Sequence, residues 1–269
     1  MNQSRKVAIV TGSGTGVGAA TALALARRGY NVVINYSRSE TEARASQAAC
    51  RDAGADTLLV RGDVARDADC RAIAQAAVGA WQRIDALVNN AGVSVFGQDA
   101  AWDALDAQAF QRVLAVNTVG PFQMVRACLP QLKAARGAIV NVSSVAGSLG
   151  IGSSVPYVAS KGALNAMTLH LARSLAPEIR VNAVCPALIT SRWFVDALGQ
   201  AGYEELKARA EAGSPLGRAS TPQDVAEAIA WLVAGASTVT GELIQLDAGL
   251  HLGAAAPIAP RMPAPPANS

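Results

Sequence analysis

The 269-residue chain predicts an α/β fold: a doubly wound parallel sheet of about seven strands, helices on both faces, in a single domain. Short β-branched runs alternate along the chain with alanine-rich amphipathic stretches. The strand runs are continuously apolar, the pattern of strands covered on both faces. With 51% hydrophobic and 16% charged residues, the chain has apolar surface enough for one large core.

The strand candidates are, in order, Val7 to Thr11, Asn31 to Tyr36, Thr57 to Arg61, Ala86 to Asn89, Ala138 to Val142, Arg180 to Val184 and Glu242 to Leu246. Helical patterns lie between them over Ala19 to Arg28, Glu40 to Ala53, Asp67 to Trp81 and Val158 to Leu175. Thr221-Pro222-Gln223-Asp224 reads as a helix start, with a capping Thr, a Pro at the first helical position and an acid in the first turn. From Ala254 to Ser269, eleven of sixteen residues are Ala or Pro. The expected organisation is therefore a domain over 1–253 and an exposed, poorly ordered tail over 254–269.

The net charge of +3, without a basic cluster, argues against a nucleic-acid footprint. The cysteines, Cys50, Cys70, Cys128 and Cys185, form no C-x-x-C pair, and His170 and His251 are the only histidines, so no metal site is expected. Scattered thiols, no secretory signal and no membrane-length apolar run predict a cytoplasmic protein.

Thr11-Gly12-Ser13-Gly14-Thr15-Gly16-Val17-Gly18 links the first strand to the first helix. Glycines there admit backbone N–H groups to a pyrophosphate, and the helix start adds partial positive charge. The T-G-x-x-x-G-x-G spacing resembles the classical short-chain dehydrogenase/reductase family, a Rossmann-type fold, including its 3-oxoacyl-carrier-protein-reductase-like members. The resemblance runs from about Lys6 to Gly253, through Asp63-Val64 after the third strand and Asn89-Asn90-Ala91-Gly92 after the fourth. It implies cofactor contacts at Gly12, Ser13, Thr15, Gly16 and Val17, at Tyr36, Ser37 and Arg38, at Asp63 and Val64, at Asn90, Ala91 and Gly92, and at Pro186, Ile189 and Ser191.

An acid after the second strand would accept hydrogen bonds from the adenosine ribose and repel a 2′-phosphate. Here the segment reads Asn35-Tyr36-Ser37-Arg38-Ser39, with no acid before Glu40. Ser37 can donate to a phosphate and Arg38 can supply charge, so NADP(H) is expected over NAD(H), although the glycine loop carries Thr15 where many NADP members have a basic residue.

Tyr157-Val158-Ala159-Ser160-Lys161 puts a phenol and an ammonium on one helix face. A tyrosine titrates near pH ~10, and a cation beside it is expected to lower that pKa. Within the family Tyr157 and Lys161 also touch the cofactor, and Ser144, thirteen residues before Tyr157, holds the substrate oxygen. Ser143 is the competing choice. Asn117 matches the family's asparagine in a kinked helix. These four imply hydride transfer to or from a carbonyl or alcohol carbon, with Tyr157 as proton donor and acceptor.

Two departures stand out. Pro186-Ala187 replaces the common Pro-Gly, and Asp247-Ala248-Gly249 replaces Asp-Gly-Gly. If the backbone at Ala187 needs positive φ, the methyl strains it by roughly 1 kcal/mol. The pocket is expected between Ser94 to Gly97, Val145 to Val155 and a lid with helical turns from Leu188 to Gly213, with Phe96, Leu149, Ile151, Trp193 and Phe194 as walls. That lining suggests a mid-sized, mainly apolar small-molecule substrate. Leu175-Ala176-Pro177-Glu178 lacks the arginine that carrier-protein reductases often place there, which demotes that alternative. The resemblance implies a homotetramer or homodimer; a non-enzymatic NADP-binding regulator is the other alternative.

Overall fold

The computed structural model describes residues 5–96 and 105–253. The expected tail over 254–269 and Gly97 of the expected pocket lie outside these residues.

Seven strands, β1 (Val7–Val10), β2 (Asn31–Tyr36), β3 (Thr57–Arg61), β4 (Ala86–Asn89), β5 (Ala138–Val142), β6 (Arg180–Pro186) and β7 (Leu243–Leu246), form one sheet in the order β3-β2-β1-β4-β5-β6-β7. Every pairing is parallel. Period-two side-chain alternation explains why the strand runs are apolar throughout. In β1, Ala8 and Val10 enter one core while Val7 and Ile9 enter the other. β4 and β5 divide likewise, Val88 and Val140 on one side and Leu87 and Ile139 on the opposite side.

The helices α1 (Gly16–Arg27), α2 (Glu40–Asp52) and α9 (Pro222–Ala234) cover the first face, burying residues such as Leu25, Cys50 and Ile229. The second face is covered by α3 (Asp67–Trp81), α5 (Gly120–Ala135) and α7 (Val155–Leu175), through Ile73, Met124 and Leu171. The helix α4 (Ala107–Leu114) runs into α5 through a π-helical turn, Ala115–Val119. A short α6 (Ala146–Leu149) follows β5, and α8 (Arg192–Ala212) follows β6.

The predicted start of α9 is a capping box. Thr221 Oγ1 accepts from Asp224 N at 3.2 Å, and Asp224 Oδ2 accepts from Thr221 N at 2.8 Å. The expected lid is α8, broken at Gly199, whose φ of 71° and ψ of 169° separate Arg192–Leu198 from the rest. The chain order reverses between β1 and β4, so the loops after these strands part and open a crevice at the carboxyl edge of the sheet.

Candidate active site

The crevice begins with the glycine loop. Gly12 has φ +62°, and a Cβ there would meet Ala91 Cα at 3.0 Å. A Cβ on Gly18 would come within 2.3 Å of the Gly12 carbonyl and 2.5 Å of Asn90 Nδ2. The loop is thus pressed onto the end of β4. Asn90 Nδ2 donates to the carbonyls of Thr11 (2.9 Å) and Gly12 (3.1 Å), and Thr11 Oγ1 accepts from the N–H groups of Asn90 and Ala91, both at 3.0 Å.

The sequence reading passed over Asn35 as a bracing residue. Its Oδ1 accepts from Gly12 N at 3.1 Å, while Nδ2 donates to the carbonyls of Val60 (3.2 Å) and Gly62 (3.1 Å). One buried amide therefore ties the glycine loop to β3. A buried asparagine among β-branched neighbours, beside a turn that needs fixing, was the available signal.

Ser13 is turned inward. It is fully buried; its hydroxyl donates to the Val10 carbonyl at 2.8 Å, and its N–H to the Asn35 carbonyl at 2.9 Å. Of the residues expected to touch the cofactor, this one has both polar groups committed to the ends of β1 and β2. Thr15 and Gly16 are exposed, and Val17 is half-buried. α1 starts at Gly16 with neither a side-chain cap nor an acid in its first turn. Such a start leaves N–H donors free to bind an anion, so the residues fit a dinucleotide's pyrophosphate.

At the end of β2, Tyr36 is buried, while Ser37 and Arg38 are exposed. Among the described residues Arg38 forms no ion pair. The first acid, Glu40, is held by Arg44 at 2.6 Å. Asp63 is exposed, its Oδ1 accepting from Ala65 N at 3.0 Å, whereas the Val64 side chain is buried against Gly120.

Tyr157, in the first turn of α7, is half-buried. Ser144 lies near its hydroxyl and draws the phenol's pKa down. Ser144 Oγ also lies 3.3 Å from the Pro186 carbonyl and accepts from Ala146 N at 3.1 Å. Ser143 points the other way: its buried hydroxyl donates to Asn165 Oδ1 at 2.6 Å. Lys161 is 4% exposed, and its Nζ donates to the Val142 carbonyl at 2.8 Å and sits 5.6 Å from the Tyr157 ring centroid. A Cβ on Gly92 would lie 3.8 Å from Lys161 Nζ and 3.5 Å from Asn117 Oδ1, so the Asn89-to-Gly92 motif abuts the Tyr-Lys pair.

Asn117 lies within the π-helical turn and is fully buried. Its Oδ1 accepts from Val93 N at 2.8 Å, and Nδ2 donates to the Val93 carbonyl (2.9 Å) and to Ser160 Oγ (3.0 Å). Ser160 Oγ in turn donates to the Tyr157 carbonyl at 2.7 Å. The asparagine side chain thereby fastens the first turn of α7 to the loop after β4.

The expected acidification of the phenol is not what the pocket shows. Burial pushes Tyr157 up to about 12, and the pull in the other direction comes from Ser144. Burial also brings Lys161 down to about 8, because a buried ammonium loses its hydration. Nζ donates to the Val142 carbonyl while the ammonium stands 5.6 Å from the Tyr157 ring centroid.

Pro186 ends β6, Ile189 bridges to Ser220, and Ser191 caps α8 without a side-chain cap hydrogen bond. Ala187 is not among the residues with positive φ, so its methyl brings none of the expected strain. The strain falls on the second departure, Ala248, with φ 55°.

The comparisons with known proteins show the family. The family profile described as Enoyl-(Acyl carrier protein) reductase matches residues 12–251. The chain is 39% identical to the ketoacyl reductase 2 proposed for the granaticin polyketide synthase of Streptomyces violaceoruber, over 91% of this chain and 96% of that protein. It is 34% identical to the 3-oxoacyl-[acyl-carrier-protein] reductase FabG of Staphylococcus aureus, over 92% and 98%. A crystal structure of a proposed short-chain dehydrogenase/reductase from Burkholderia xenovorans superimposes with a TM-score of 0.86 at 42% identity, covering 93% of this chain and 99% of that one. The chain belongs to the classical short-chain dehydrogenase/reductase family of oxidoreductases.

Proposed function

We propose that the protein is an NADP(H)-dependent oxidoreductase that moves a hydride between the nicotinamide and a carbonyl or secondary-alcohol carbon of a mid-sized, mainly apolar substrate. The observation that carries this reading is the meeting of Tyr157, Ser144, Lys161 and Asn117 beside the uncapped start of α1. The same meeting speaks against a non-enzymatic regulator.

A nicotinamide cofactor, when bound, supplies or accepts the hydride. The remaining tasks fall to the chain. Ser144 Oγ holds the substrate oxygen in this reading, and its nearness to the Tyr157 hydroxyl supports that role. Tyr157, protonated at neutral pH, gives its proton to that oxygen in reduction and takes it back in oxidation. Lys161, its pKa lowered to about 8 by burial, keeps most of its charge at neutral pH, 5.6 Å from the Tyr157 ring centroid. Asn117, through Ser160, fixes the turn that carries Tyr157.

NADP(H) is favoured over NAD(H) because Arg38 is exposed and unpaired, and because Glu40 is turned onto Arg44. A carrier-borne 3-oxoacyl thioester is the second reading, favoured by the printed activities of the relatives. The turn after α7, Leu175-Ala176-Pro177-Glu178, has no arginine to meet an acidic carrier, so a free ketone or alcohol ranks first. A homotetramer or homodimer in the cytoplasm belongs to the same proposal, supported by exposed Phe122 and Leu169 on α5 and α7 and by four buried free thiols.

The test is optical: NADPH and NADH consumption with a panel of ketones and an acetoacetyl thioester. NADPH should be preferred at least about tenfold, and Arg38→Ala should erase that preference. NADH preference, or no consumption with any carbonyl, would contradict the proposal.

A further inference from the structure

We infer that Trp193 and the rings around it select a ketone or secondary alcohol that carries a planar conjugated ring next to the reacting carbon. This deepens the proposed function and rests on Tyr157 as its proton donor.

Four rings from three parts of the chain meet at the site. Trp193 stands edge-on to Tyr157, centroids 6.1 Å apart and planes at 76°. Phe96, from the loop after β4, stands edge-on to Trp193 at 6.2 Å and to Phe194 at 6.1 Å. Trp193 and Phe194 stack at 6.0 Å with planes at 30°. Aromatic pairs favour these offset and edge-to-face arrangements, because the electron-rich face of one ring attracts the electropositive rim of another.

Trp193 is 41% exposed, so part of its ring is open to a bound molecule. It touches the ring whose hydroxyl is the proposed proton donor. A substrate oxygen that reaches this hydroxyl therefore brings the neighbouring substituent against Trp193. Saturated and conjugated groups of equal size bury similar apolar area there, and only a conjugated one gains the quadrupolar contact.

The surroundings favour an uncharged group. Arg192, beside Trp193, reaches away to Glu42 at 3.7 Å. Ser153 Oγ and Ser94 Oγ bond each other at 2.5 Å and Ser94 Oγ lies 3.3 Å from the Val95 carbonyl, which gives both hydroxyl protons partners within the chain. The break at Gly199 makes Arg192–Leu198 a short separate segment, able to seat Trp193 over substrates of different outline.

Acetophenone and cyclohexyl methyl ketone carry rings of the same carbon count and differ in conjugation. Each takes a hydride at the carbonyl carbon and a proton at the oxygen, giving a secondary alcohol and oxidised cofactor. With NADPH, the wild-type protein should show a KM for acetophenone about fivefold to tenfold below that for the cyclohexyl ketone. Trp193→Leu should bring the two KM values within about twofold, and Trp193→Phe should restore most of the gap. Comparing the ratio between variants cancels the different intrinsic reactivities of the two ketones.

A wild-type protein without the gap, or a Trp193→Leu variant that keeps it, overturns the inference. If neither ketone is reduced, calorimetric titration of acetophenone into the NADP⁺ complex decides. Binding lost in Trp193→Leu and kept in Trp193→Phe upholds the ring contact, and the missing turnover then counts against the proposed hydride transfer for this class. Binding indifferent to Trp193, or no binding, overturns the inference while leaving Tyr157 to be judged on other substrates.

Discussion

Lys161 donates from Nζ to the Val142 carbonyl at 2.8 Å, an ammonium buried against the end of a core strand. Its pKa is lowered from 10.5 to about 8, mainly by loss of hydration. Between these values the unfolded chain binds more protons than the folded one, so this group's contribution to stability rises with pH across that window. Below about pH 8 it is a standing cost. Lys161→Met should therefore stabilise the ligand-free protein at pH 7 by about 2 kcal/mol, after the lost hydrogen bond is set against the relieved burial of charge. The gain should vanish by about pH 10.5. Urea midpoints of the two proteins at pH 7, 9 and 10.5 check the slope. Parallel pH profiles would show that Lys161 is not the titrating group.

The two adjacent serines after β5 should separate function from stability. Ser144→Ala removes the hydroxyl beside Tyr157 and should lower kcat about 100-fold or more, with little change in melting temperature. Ser143→Ala leaves Asn165 Oδ1 short of a buried donor and should cost about 1–2 kcal/mol of stability, with cofactor affinity unchanged. Thermal melts alongside single-substrate kinetics distinguish the two. The reverse pattern would exchange their roles.

Asn35 should matter twice. Asn35→Ala deletes three bonds, to Gly12 N, Val60 O and Gly62 O, and should cost about 2–4 kcal/mol. Because one of those bonds holds the glycine loop, NADPH affinity should also fall, by about tenfold. Urea unfolding and quenching of protein fluorescence by NADPH measure the two effects. Full cofactor affinity in a destabilised protein would confine Asn35 to the core.

Residue type made the seven strands and the start of α9 legible, because coverage on both faces and a capping box are written locally. Other features depend on contacts between distant segments. The π-helical turn forms where Asn117 must reach both Val93 and Ser160, and nothing in residues 115–119 alone requires it. The Gly-x-Gly spacing reads the same whether the Ser13 hydroxyl faces outward or, as here, Val10. The lysine–tyrosine spacing put both groups on one helix face, but burial, not pairing, governs both in the pocket.

Strain at Ala187 is conditional on a positive φ there, and the structure gives the positive φ to Ala248 instead. At φ 55° a Cβ is strained, so Ala248→Gly should stabilise the protein by about 1 kcal/mol and raise the melting temperature by about 2–4 °C. Ala187→Gly should do the opposite, by about 0.5 kcal/mol, through added freedom of the unfolded chain. Differential scanning calorimetry of the pair tests this, and an unfavourable Ala248→Gly would mean its methyl contributes packing that outweighs the strain.

The most direct test of the account is Tyr157→Phe, measured for NADPH affinity and for reduction of whichever ketone the wild-type protein turns over. The phenol oxygen is the proposed proton donor, and its removal leaves the ring contact with Trp193 available. The expected result is unchanged NADPH affinity with kcat down by about 10²–10⁴-fold. A variant that retains kcat within about threefold of wild type would contradict the central claim that Tyr157 carries the proton.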